Sequence, residues 1–115
     1  MSSSPPRRDY APELTNPGVP QRLGRPRPGH GTVYFHTEGG TPRYPDITYV
    51  AEWVDDYGQP NADGEVAGVV RFDGTRQQVL DWARAQPAAE RLIPGGDGWI
   101  ALPADDTDVR LRGDD

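Results

Sequence analysis

A chain of 115 residues is one domain's worth of sequence. It has no cysteine and no lysine, and its only serines are Ser2, Ser3 and Ser4. Disulfides, thiolate metal sites, Schiff-base chemistry, a P-loop and the usual activated nucleophiles are therefore excluded from its body. The formal charge of −6 is unevenly spread: residues 1–43 carry six arginines against three carboxylates, and residues 44–115 carry six against fifteen. An acidic body repels phosphate, which disfavours nucleic acid as its partner.

The first 31 residues are rich in proline and arginine and poor in apolar side chains. Proline removes amide donors and restricts the residue before it, so neither a helix nor a central strand fits. This predicts a disordered arm, or an extended one lying on the surface. Weak nucleic-acid contact by the arm is one reading of its arginines. No apolar run approaches the ~20 residues that span a bilayer, and the first residues lack the apolar segment of a signal peptide. The expectation is a cytoplasmic protein with no membrane contact. A single folded domain is expected over 32–112, with residues 113–115 frayed. A core this small is marginal, so Trp53, Trp82 and Trp99, or self-association, are expected to support it.

Residues 32–37 are β-branched and aromatic between glycines, and predict a first strand. Residues 47–57 alternate, with Ile47, Tyr49, Ala51 and Trp53 on the expected core side. Asp63-Gly64 is a hairpin signal before the next strand, 65–72. That strand is apolar on both faces, as a covered central strand would be. Its Gly68 marks a bulge or a close crossing, with Trp53 or Trp82 as the expected crossing group.

Thr75 and Gln78 have the spacing of a capping box, which predicts a helix over 76–86. Val79, Trp82, Ala83 and Gln86 fall on one face, with Leu80 flanking. Pro87 either stops this helix or starts a short second one over 88–92. Residues 94–98 form a Gly-rich turn, 99–102 a short buried strand, and 108–112 a weak edge strand. The fold class is α+β: a small antiparallel sheet of three to five strands, order β-β-β-α-β(-β), with one main helix packed on one face. The run from Phe72 to Ala83, Phe-Asp-Gly-Thr-Arg-Gln-Gln-Val-Leu-Asp-Trp-Ala, resembles a strand–Gly-Thr-Arg–helix segment of many small actinobacterial proteins. The resemblance implies no activity.

Few residues are candidates for chemistry. His36 with Asp55 or Asp56 across a hairpin would give an acid–base pair for a small ligand-binding or hydrolytic domain. The simpler reading is an exposed strand histidine and two turn-forming aspartates. Tyr34 and Tyr49, with Phe35, Arg43 and Tyr44, interleave aromatic and basic groups suited to stacking, or to covering a core. Two histidines, His30 and His36, are too few to fix a zinc ion. The loop 59–64 has the Asn, Asp and Gly of a calcium loop but neither of its terminal carboxylates. No cofactor or metal is expected. The preferred expectation is a non-enzymatic module that binds a protein partner or itself, with His36, Asp55, Asp56, Tyr34 and Tyr49 as candidate contact residues.

Overall fold

The computed structural model describes residues 23–112 and Asp114. The predicted arm lies outside the described residues up to position 22, as do positions 113 and 115 of the tail. Strand β1 (Leu23–Gly24) is a two-residue bridge. It is followed by β2 (Thr32–Gly39), β3 (Ile47–Asp56), β4 (Ala67–Gly74), α1 (Arg76–Ala85), β5 (Glu90–Gly95) and β6 (Gly98–Ala101). The five longer strands and the helix follow the order β-β-β-α-β-β, an α+β fold.

The sheet runs β1-β4-β3-β2-β5-β6. β2, β3 and β4 form an antiparallel meander, with Val33 across from Trp53 and Trp53 across from Val70. β5 joins the free side of β2 in parallel, Thr32 beside Glu90 and Tyr34 beside Leu92. The sheet is therefore mixed where the sequence predicts antiparallel pairing throughout. The helix follows β4, and the chain that leaves it returns alongside β2 from the far end, which only a parallel ladder accommodates.

Period-two alternation decides what each face carries. Val33 and Phe35 of β2, Ala51 and Trp53 of β3, and Ile93 of β5 are buried on one face, under Val79, Leu80 and Ala83 of α1. Tyr49, Val70, Phe72 and Trp82 pack around this core, and Trp82 stacks on Phe72 with ring centroids 5.5 Å apart. The capping box forms at the start of α1: Thr75 Oγ1 accepts from the Gln78 amide at 3.2 Å, and Gln78 Oε1 accepts from the Thr75 amide at 3.1 Å.

Pro87 ends the helix, and the alternative of a second helix over 88–92 is not adopted. The Arg91 guanidinium donates to the carbonyls of Ala83, Arg84 and Gln86 at the helix end, and the Ala89 and Glu90 amides donate to the Gly31 carbonyl. Those bonds commit the segment to strand. β5 turns into β6 through Gly96-Asp97, with Gly96 at φ +54° in the left-handed region.

Two further expectations are corrected. β6 is exposed along its whole length, with Trp99 42% and Ile100 47% accessible, so Trp99 is not a core indole. Residues 108–112 are not a strand: after a 3-10 turn at Asp106–Asp108 the chain lays Val109 and Leu111 into the core.

Residues 25–31 form a strap across the end of the sheet, with a turn at Pro28-Gly29 in which the His30 amide donates to the Arg27 carbonyl at 3.0 Å. Pro26 is buried there, and the Trp53 indole N–H donates to the His30 carbonyl at 2.8 Å. The group that crosses at Gly68 is neither tryptophan but the backbone of this strap. A Cβ at Gly68 would stand 2.4 Å from the Arg25 carbonyl carbon and 2.5 Å from the Pro26 nitrogen.

Candidate functional site

The sheet face opposite α1 carries a group of ionisable and aromatic side chains. Tyr34, His36 and Glu38 alternate along β2. Their antiparallel neighbours on the same face are Glu52, Val50 and Thr48, and beyond those lie Arg71 and Asp73 of β4. Arg71 is the hub of the charged part. Its two Nη atoms donate to Glu38 at 2.8 and 3.1 Å, and it lies 4.0 Å from Glu52 and 3.9 Å from Asp73. Chiefly through its hydrogen bonds to Glu38, the Arg71 guanidinium is held above its ordinary pKa. His36 Nε2 sits 3.4 Å from Glu52 Oε1, a loose contact, and Nδ1 is 3.4 Å from the Thr37 carbonyl.

The aromatic part comes from the far edge. Trp99 of β6 reaches across β5 and meets Tyr34 edge-on at 4.9 Å and His36 edge-on at 6.0 Å between centroids.

The expected contact residues do not share one site. Tyr34 and His36 are together on this open face. Tyr49 is on the helix side, where its hydroxyl donates to Asp114 Oδ1 at 2.7 Å. That bond, reinforced by burial, raises the Tyr49 pKa above its ordinary value. Asp114 also accepts from Arg76 Nε at 3.0 Å and from the Leu111 amide at 2.8 Å. Burial pushes the Asp114 carboxyl up, but these donors outweigh it and hold its pKa low. The tail residue Asp114 is thereby tied to the body.

Asp55 is likewise on the helix side. It is 2% exposed and receives three hydrogen bonds from Arg27, at 2.9 Å from the amide, 2.7 Å from Nε and 2.9 Å from Nη2. The side-chain bonds from Arg27 lower its pKa despite burial. Asp56 is exposed and accepts from the Gly58 amide in the turn that follows. His36 stands across from Val50, five positions before Asp55, or about 17 Å along the strand. The expected pairing of His36 with Asp55 or Asp56 is therefore not made; Glu52 takes that place. Glu52 belongs to the polar side of β3 in the alternation, and its match to His36 needed the strand register. Trp99 was legible only as an aromatic strand residue.

What this arrangement can do chemically is limited. Among the described residues no group of three or more histidines, cysteines and carboxylates is placed to hold a metal ion. A shallow, open hollow of about 460 Å³ lies beside the β2–β3 connection, lined by Glu38, Arg43, Tyr44, Pro45, Asp46 and Thr48. It does not include His36.

The outer edge of β6 differs from the opposite edge of the sheet. β1 is two residues long and runs into Arg25-Pro26-Arg27-Pro28, where two prolines and two arginines obstruct further pairing. β6, Gly-Trp-Ile-Ala, has neither charge nor proline, and among the described residues no strand pairs with its outer side. No described helix is long and apolar enough to cross a membrane. No protein-family model matches this chain, no curated protein matches it, and no solved structure matches it.

Proposed function

We propose that this domain is a non-enzymatic protein-interaction module whose contact surface is the β5–β6 hairpin and the adjoining open face. The observation that carries the reading is the exposure of Trp99 and Ile100 on the outermost strand, 42% and 47%, at the edge of a sheet whose other large apolar groups are mostly covered. Large apolar side chains concentrated at one edge are a recurrent feature of contact surfaces. Tyr34 and His36 extend the same surface inward, through Trp99. The acid–base alternative built on His36 with Asp55 or Asp56 lacks support, because Asp55 occupies the opposite face of the sheet and Asp56 lies six positions, about 20 Å, along β3 from the Val50 that faces His36. Nucleic-acid contact by the arm has little support from its described part, where Arg27 is engaged by Asp55.

The test is photo-crosslinking in native lysate, with a benzophenone amino acid placed at Ile100 in one full-length variant and at Gln77, on the exposed helix side, in another. The expected result is a discrete protein adduct from position 100 and none from position 77. Adducts from both positions alike, or from neither, would remove the proposal.

A further inference from the structure

We infer that the outer edge of β6 receives an extended, basic segment of a partner protein as a seventh strand. This rests on the reading above and names the partner's chemistry. The hydrogen-bond phase of the hairpin determines which groups β6 offers. The Leu102 amide donates to the Arg91 carbonyl at 2.9 Å, so Arg91 and Leu102 are a hydrogen-bonded pair. Antiparallel pairs alternate, which makes Ile93 with Ile100 the next bonded pair. The N–H and C=O of Trp99 and Ala101 therefore point away from β5. An added strand satisfies those groups through main-chain bonds, and its alternate side chains meet Trp99 on one face and Ile100 on the other.

Charge selects the occupant. The chain around it carries the exposed acids Asp97 at the hairpin turn, Glu90 at the start of β5, and Asp105 and Asp108 after β6. The arginines nearby do not cancel these acids: residues 84–110 hold five carboxylates against three arginines, of which Arg84 pairs with Asp106. Arg91 is bound to the helix-end carbonyls, Arg84 to Asp106 and the Pro103 carbonyl, and Arg110 to the Thr107 carbonyl. An apolar edge within a net acidic stretch attracts a basic strand and repels a second copy of a chain with net charge −6.

The probe is a capped heptapeptide, Arg-Val-Arg-Val-Thr-Val-Arg, added to the full chain, with its Glu-for-Arg counterpart as control. Binding is read by calorimetry and by amide hydrogen exchange in NMR spectra. The basic peptide is expected to slow exchange at the Trp99 and Ala101 amides, with the acidic peptide at least roughly tenfold weaker. Ala101→Pro removes one outward N–H without touching the β5 ladder. It is expected to weaken binding roughly tenfold, the worth of about one hydrogen bond. Ile100→Lys, which keeps the backbone intact and adds a repelling charge, serves if Ala101→Pro disturbs folding.

Binding that ignores both variants, or leaves the two amides unprotected, would overturn the inference. So would a peptide-free chain in which these amides are already protected, whether it runs as a dimer by light scattering, showing a second copy at the edge, or as a monomer, showing the chain's own residues there. Crosslinks at position 100 without amide protection would sink strand addition while leaving the interaction reading standing; loss of both would sink the two together.

Discussion

Asp55 gives the most informative single perturbation. Its carboxylate is 2% exposed and takes three hydrogen bonds from Arg27, whose own side chain is 47% exposed. The two partners differ in what they leave behind. Asp55→Ala frees a guanidinium that is already half in water and rehydrates, so the loss falls toward the lower end of the range for bonds to a charged group, about 2 kcal/mol. Arg27→Ala strands a carboxylate out of water, which is the more expensive orphan. The more exposed partner should therefore be the more damaging one to remove. At about 4–8 °C per kcal/mol for a domain of this size, Asp55→Ala is expected to lower Tm by about 8–16 °C, and Arg27→Ala by more.

The pH dependence has a definite sign. The folded-state pKa of Asp55 lies below its unfolded value, so its contribution is fully present above the unfolded pKa near 4 and is lost as pH falls through the folded pKa. Arg27→Ala removes the side-chain bonds that hold that pKa down, so its gap to wild type should narrow as pH falls below about 4. Urea denaturation from pH 3 to pH 7 measures all three chains. If Asp55→Ala is within about 0.5 kcal/mol of wild type, or Arg27→Ala proves the milder change, the account of this pair is wrong.

Gly68→Ala should displace the 25–31 strap, because the new Cβ meets the backbone of Arg25 and Pro26 and no side chain can swing aside. An overpacking loss of about 1–3 kcal/mol is expected, with faster hydrogen exchange at the Trp53 indole; an unchanged indole would count against it. Leu80→Ala removes a fully buried side chain beneath the sheet and should cost about 2–5 kcal/mol in urea unfolding, against near-neutrality for Gln77→Ala on the exposed side. The Tyr49 phenol should titrate above its ordinary range, and Asp114→Asn should bring its ultraviolet midpoint down. Since the folded pKa is the raised one, the stability from this bond is whole below pH 10 and is lost as pH climbs through the folded midpoint.

These residues also indicate what was legible in the chain. The capping box of Thr75 and Gln78, the hairpin turn at Asp63-Gly64 and the alternation of β3 were readable because each involves residues close in sequence. In the turn, Asn61 accepts from the Asp63 and Glu65 amides, with Gly64 at φ +80°. Arg27 and Asp55 meet across 28 residues, and Tyr49 and Asp114 across 65; no local pattern announces either. Val109 and Leu111 alternate like a strand, yet their burial comes from filling the end of the core. Trp99 has the composition of an interior residue, and only its place on the outermost strand exposes it. For the contact surface, the spacing of Tyr34, His36 and Glu38 already put them on one face. Which carboxylate faces His36 depended on register, and that is set by the whole hairpin.

The parallel ladder between β2 and β5 has a kinetic consequence. β2, β3 and β4 can zip up from neighbouring segments, whereas β5 must wait for the helix to turn the chain back and then close a loop spanning most of the domain. The terminal hairpin is thus expected to dock after the meander has formed, and it is laddered to β2 at three paired positions. It is a unit that can open briefly and reclose while the meander stays intact, so any partner gripping it would also act as a clamp on the finished fold.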